Sequence, residues 1–218
     1  MEQRELTDKD KAVLQELGIA VPKEAVQKIP AQYDKVVLLI LESMHRDYIN
    51  YYNSEIPENA TPFLNSLVIR YPHLDKYYSS AVPTTQGLNA TFRSHLIMDK
   101  DVPGKNTPSL FRSVQDAGMR GVFMNASSQY YSNELREYPD QFGMKEYYAK
   151  EYLEKQGYTG ASGWGFHNDV MYEETLKMLE RGKNDRMLLV TKTLDMHQPY
   201  PYTCLLYTSP SPRDPKTS

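Results

Sequence analysis

Seven consecutive residues, 35–41 (KVVLLIL), carry no polar side chain after the first and are rich in branched aliphatics. A run so short and so apolar fits a strand buried on both faces, the pattern of a covered parallel sheet. Two further runs share the character, 121–125 and 187–194 (MLLVTKTL). Helical patterns lie between them. Thr61-Pro62 has the form of an N-cap followed by proline at the first helical position, with Leu64, Leu67 and Val68 on one face. Residues 84–97 space Leu88, Phe92 and Leu96 helically, Thr107-Pro108 repeats the Thr-Pro start in a helix closing at Gly118, and 168–181 is amphipathic. Strands alternating with helices predict an α/β fold: a central, mostly parallel sheet flanked by helices, incomplete at its C-terminal side.

The two ends read differently. Thr7-Asp8-Lys9-Asp10 has capping-box form and predicts a helix stopping at Gly18, with a second short helix from Pro22 to about Pro30. Residues 1–34 are thus expected to be a helical lead-in. Residues 74–80 look extended and aromatic. At the other end, 204–214 (CLLYTSPSPRD) back-translates in frame to a sequencing-library adaptor, and 204–218 is expected to be a non-native tail. That leaves 35–203 as the main folded segment of the chain. Met1 reads equally as a true start or as an internal methionine.

Composition excludes several classes. The net charge is −3, mildly acidic, and no basic stripe suggests a nucleic-acid partner. The single cysteine, Cys204, belongs to the tail, which removes disulfides and cysteine metal sites from consideration. No apolar run approaches the roughly 18–20 residues that span a bilayer, and no signal peptide precedes the first helical pattern. Membrane association would need segments outside this sequence.

Three residues sit where chemistry gathers. Glu42 ends the first strand, and ligands in open α/β sheets collect at the carboxyl ends of strands, where a carboxylate suits a divalent cation. Thr84 heads a helix after Ala81-Val82-Pro83, and unpaired helix N–H groups favour an anionic phosphoryl or sulfuryl group. A threonine there is also an ordinary N-cap, and its hydroxyl is a poor nucleophile without activation. His197 follows the third strand and could reach a phosphate oxygen or a metal.

In this order the segments VVLLILES (36–43), TPFLNSL (61–67), YYSSAVPTTQGLNATF (77–92), GWGFHND (163–169) and TLDMHQPY (193–200) resemble the alkaline phosphatase/sulfatase superfamily. Within it they resemble the lipoteichoic acid synthase-like branch. The resemblance implies Glu42 as the first metal-binding carboxylate and Thr84 as both metal ligand and nucleophile, because the family pattern places glycine three residues later. Thr85 is the fallback if the register is off by one. It also implies His197 at the substrate phosphate and Trp164 near the substrate. The implied cofactor is a divalent metal, Mn²⁺ or Zn²⁺ first, with Ca²⁺ or Mg²⁺ as further options. The family closes this site with a downstream Asp-His pair that the sequence does not reach, so this chain is expected to bind metal poorly and turn over little.

The resemblance implies a metal-dependent phosphotransferase acting on phosphodiesters of the phosphoglycerol or phosphoethanolamine type, lipid-linked substrates included. The parent family is usually extracytoplasmic and membrane-anchored. One alternative is a hydrolase of sulfate esters or phosphodiesters on the same fold. Sulfatases, however, convert a Cys or Ser to formylglycine, and Thr84 cannot follow that chemistry. A non-catalytic relative is the remaining alternative, and retention of Glu42 and Thr84 argues against it.

Overall fold

A computed structural model describes residues 7–16, 33–75, 77–79, 81–94, 108–131 and 133–198. The chain divides into two compact units, Met1–Tyr33 and Asp34–Ser218. In the first, one helix is described, α1 (Asp8–Glu16), which begins immediately after Thr7. The expected stop at Gly18 and the helix expected over 22–30 lie outside the described residues, as does the tail at 204–218.

The second unit is built on four parallel strands: β1 (Lys35–Ile40), β2 (Arg120–Asn125), β3 (Glu146–Tyr148) and β4 (Met187–Lys192). Their order across the sheet is β1-β4-β2-β3, so β4, the last of them in the chain, inserts between β1 and β2. Around them run α2 (Pro62–Arg70), α3 (Thr84–Arg93), α4 (Leu110–Asp116), α5 (Asn133–Phe142), α6 (Lys150–Lys155) and α7 (Asn168–Arg181). The α/β architecture with a parallel sheet is the one the alternating pattern requires.

Two-residue periodicity divides the central strands between two cores. Phe123, Leu188 and Val190 face α3, α4 and α5, where they meet Leu88, Phe92, Phe111, Tyr138 and Phe142. Phe92 stands edge-on to Phe111, Phe123 and Phe142 at 5.2–5.4 Å, a geometry worth about 0.5–1.5 kcal/mol per pair beyond simple burial. On the opposite face Val122, Met124, Met187 and Leu189 pack against Met171 and Met178 of α7. Buried on both sides, β2 and β4 tolerate a continuous apolar sequence.

β1 differs from expectation. Its run predicts burial on both faces, yet Val36, Val37 and Leu39 are 43–49 % exposed. The reason is position: among the described residues β1 pairs only with β4 and forms one margin of the sheet. Helix boundaries shift too. The α4 cap is Ser109, whose hydroxyl accepts from Arg112 N–H at 3.2 Å, rather than Thr107, which lies outside the described residues. α3 stops at Arg93 with Ser94 in the left-handed region, and 95–97 are not described. Residues 74, 75 and 77–79 form no strand; 76 and 80 lie outside the described residues. β3, α5 and α6 carry no pattern that marked them beforehand. No described helix is long and apolar enough to cross a membrane.

Candidate active site

The carboxyl ends of β1 and β4 meet in register, Ile40 opposite Lys192. One step beyond, Thr193 N–H donates to the Ile40 carbonyl at 3.0 Å, which extends the pairing past the last strand residue. The Glu42 N–H then donates to the Thr193 hydroxyl at 2.8 Å. Ser43 follows at φ 53°, turning the chain away from the sheet. Glu42 is thereby fixed at the strand tip and is 7 % exposed.

Thr84 approaches the same point from above. Pro83 is the N-cap of α3, so Thr84 is the first helical residue and its hydroxyl is not spent on capping. It donates instead to Glu42 Oε1 at 2.9 Å. Thr85, the fallback position, points its backbone elsewhere: its carbonyl accepts from the Tyr138 hydroxyl at 3.4 Å. Gly87 lets this first turn sit low, since a Cβ there would lie 3.2 Å from the Ala81 carbonyl oxygen.

The remaining carboxylate oxygen is held by a residue that sequence reasoning did not single out. Lys192 Nζ donates to Glu42 Oε2 at 3.0 Å and to the Thr193 carbonyl at 3.2 Å. Strand alternation puts Lys192 on the same face as Leu188 and Val190, beneath α3, and both members of the ion pair are at least nine-tenths buried. Burial by itself would raise the Glu42 carboxyl's affinity for a proton. The Lys192 ammonium and the hydrogen bonds from Lys192, Thr84 and Ser43 outweigh it and hold the group below the ordinary carboxylate range. The sequence carried no signal for this pairing, because a lysine that closes a strand reads as a solvated terminus.

Glu42, Ser43 and Thr84 line a cleft of about 670 Å³ together with Tyr48, Val82 and His197. His197 is half-buried, its Nδ1 lying 2.6 Å from the Gln198 carbonyl. Trp164 does not line this cleft. Its ring packs on His197 with centroids 4.8 Å apart and on Tyr131 at 4.7 Å. The structure thus brings Glu42, Thr84 and His197 around one opening and sets Trp164 against the histidine ring, outside the cleft lining. Pro199 and Tyr200 of the same motif lie outside the described residues.

A divalent cation would meet hard oxygen donors here, the Glu42 carboxylate and the Thr84 hydroxyl, which suit such an ion. They do not complete its shell: among the described residues no three His, Cys, Asp or Glu side chains cluster to hold a metal.

Comparison with known proteins bears on this arrangement. One family profile, described as Sulfatase, matches residues 34–214. No curated protein sequence matches the chain. Among solved structures the chain is similar to the lipoteichoic acid synthase LtaP from Listeria monocytogenes, at 16 % identity and TM-score 0.65, covering 87 % of this chain and 47 % of that one. A protein in the alkaline phosphatase superfamily from Vibrio parahaemolyticus gives 14 % identity and TM-score 0.64, covering 77 % and 42 %. The C-terminal periplasmic domain of EcEptC from Escherichia coli, in complex with Zn, gives 19 % and 0.54, covering 78 % and 46 %. At such identities the likeness is one of fold. The chain spans less than half the length of each of these structures.

Proposed function

The chain belongs to the Sulfatase family, and from that premise we propose that it carries the nucleophile side of a metal-dependent phosphotransferase acting on phosphodiesters. The observation that carries the reading is the 2.9 Å hydrogen bond from the Thr84 hydroxyl to the Glu42 carboxylate at the mouth of the cleft. A hydroxyl that heads a helix and leans on a carboxylate is positioned to attack an anionic phosphoryl group presented to the helix N-terminus.

In this reading residues 35–203 form part of the catalytic domain. Thr84 Oγ1 gives up its proton to solvent and forms the new P–O bond, and the first alcohol of the diester departs, taking up a proton from solvent. The phosphothreonine ester then passes its phosphoryl group to an acceptor hydroxyl, which loses its proton, and the Thr84 hydroxyl is restored. A divalent cation, Mn²⁺ or Zn²⁺ first, would be held in part by Glu42 and Thr84 and would supply charge stabilisation at the phosphoryl oxygens. Lys192 keeps the far carboxylate oxygen occupied, which leaves Oε1 directed at Thr84. His197, which lines the same cleft, offers an imidazole to a phosphate oxygen.

The substrate class is a phosphoglycerol- or phosphoethanolamine-type diester, lipid-linked forms included, with an extracytoplasmic location. Transfer and hydrolysis separate by products. Incubating the full-length gene product with labelled phosphatidylglycerol and a glycerol or glycolipid acceptor should yield labelled acceptor. Label found only in water-derived phosphate esters would make the protein a hydrolase, and release of sulfate from a sulfate ester would overturn the phosphoryl assignment.

A further inference from the structure

Two irregular segments, 163–167 and 193–198, bring the Trp164 and His197 rings together at a tilt of 39°, and neither segment belongs to a strand or to a helix body. Something must hold them. The first residues of α7 and the turn after β4 are joined by hydrogen bonds running in both directions. Asn168 Oδ1 accepts from the backbone N–H groups of Leu194 at 2.8 Å and Asp195 at 3.4 Å. In return, Asp195 Oδ2 accepts from Asn168 N–H at 3.0 Å, and Asp195 Oδ1 lies 3.0 Å from His167 Nδ1.

We propose that His167, Asn168 and Asp195 form a clasp that positions His197 against Trp164 at the wall of the cleft. A single residue, Met196, separates Asp195 from His197, and His197 N–H closes the turn on the Leu194 carbonyl at 2.8 Å. The position of the imidazole therefore follows from where Leu194 and Asp195 are pinned. Each side of the clasp meets needs that are otherwise open. The N–H of Asn168 is one of the unpaired donors at the start of α7, a 14-residue helix whose N-terminal dipole favours the Asp195 carboxylate. Leu194 and Asp195 lie beyond the last paired residue of β4, so their N–H groups have no sheet partner to bond. His167 adds a second donor to the carboxylate on a side chain about one-quarter exposed. Asp195 itself is 15 % exposed, and burial of this kind strengthens a charge-assisted hydrogen bond.

These three are positioning residues: His197 lines the cleft and they do not. The importance of the clasp rests on the reading of His197 as a phosphate-facing group, but its geometry does not. The test exploits the fact that Trp164 is the only tryptophan in the chain, so its indole gives a single resonance. In the 218-residue protein, the indole and the His197 ring should show a mutual nuclear Overhauser effect, as their 4.8 Å centroid separation requires. Asp195→Ala and Asn168→Ala should each reduce that effect at least fivefold and shift the indole N–H toward its position in His197→Ala. Asp169→Ala, an exposed neighbour on the same helix, should leave both unchanged. His167→Ala removes one bond and spares the backbone ones, which provides a second variant should Asp195→Ala not fold; it should weaken the effect about twofold. An undiminished effect in folded Asp195→Ala, or in His167→Ala and Asn168→Ala together, overturns the clasp. Transfer activity is not part of this readout, so a phosphotransferase reading that fails on products leaves the test intact, and the reverse holds.

Discussion

The Lys192 ammonium stands 3.0 Å from the Glu42 carboxylate, and both side chains are about 95 % shielded from water. A buried ion pair of this kind is weak evidence for stability but is costly to break on one side, because the survivor is left charged and dry. Lys192→Met should therefore destabilise the fold by about 3–5 kcal/mol. Replacing both partners, Glu42→Gln with Lys192→Met, should recover more than half of that loss. Urea denaturation of Lys192→Met, Glu42→Gln and the double variant measures it. An additive double variant would mean that the two groups do not sense each other.

Acid should act on the same pair. Burial opposes ionisation of Glu42, but the Lys192 charge and three side-chain donors win, so its carboxyl binds a proton less readily in the folded protein than in the unfolded chain. Such a group adds stability above its unfolded value, about 4.3 for glutamate, and the contribution drains away as pH falls through the lower folded value. Glu146 works in the same direction, held down chiefly by Arg120 hydrogen bonds of 2.6 Å to each oxygen. Stability measured by denaturant should be level from about pH 7 to 5 and fall steeply below about 4.3. Glu42→Gln should flatten that fall; an unchanged slope would remove Glu42 from the account.

The sheet margin predicts behaviour in solution. β1 presents Val36, Val37 and Leu39 at 43–49 % exposure, and Leu176 of α7 is 66 % exposed. An uncovered apolar strand at a sheet margin is a template for association. Light scattering of the 218-residue protein should show concentration-dependent oligomers, and Val37→Lys should shift it toward monomer. A wild-type monomer at high concentration with a sharp melt would contradict this.

Much of the architecture is legible in the sequence because burial leaves a trace in composition. The apolar runs at 35–41, 121–125 and 187–194 appear as β1, β2 and β4, and 168–181 is α7 to the residue. β3 was not legible: three residues, Glu-Tyr-Tyr, are too few to show alternation, and only pairing with β2 makes them a strand. The placement of Glu42 and Thr84 followed from motif and strand logic. Lys192 did not, because a lysine at a strand end reads as a solvated terminus until the partner across the sheet is known. The clasp stayed hidden for a similar reason: His167 and Asp195 are 28 residues apart and meet only through the sheet crossing.

The proposal stands most directly on which atom takes the phosphoryl group. The full-length gene product, incubated with phosphatidylglycerol and Mn²⁺, quenched in acid and sequenced by tandem mass spectrometry, should carry a glycerol-phosphate adduct on Thr84. That adduct should vanish in Thr84→Ala and fall at least tenfold in Glu42→Gln. An adduct mapped to Thr85 or elsewhere, or one that persists in Thr84→Ala, would contradict the assignment of the Thr84 hydroxyl as nucleophile.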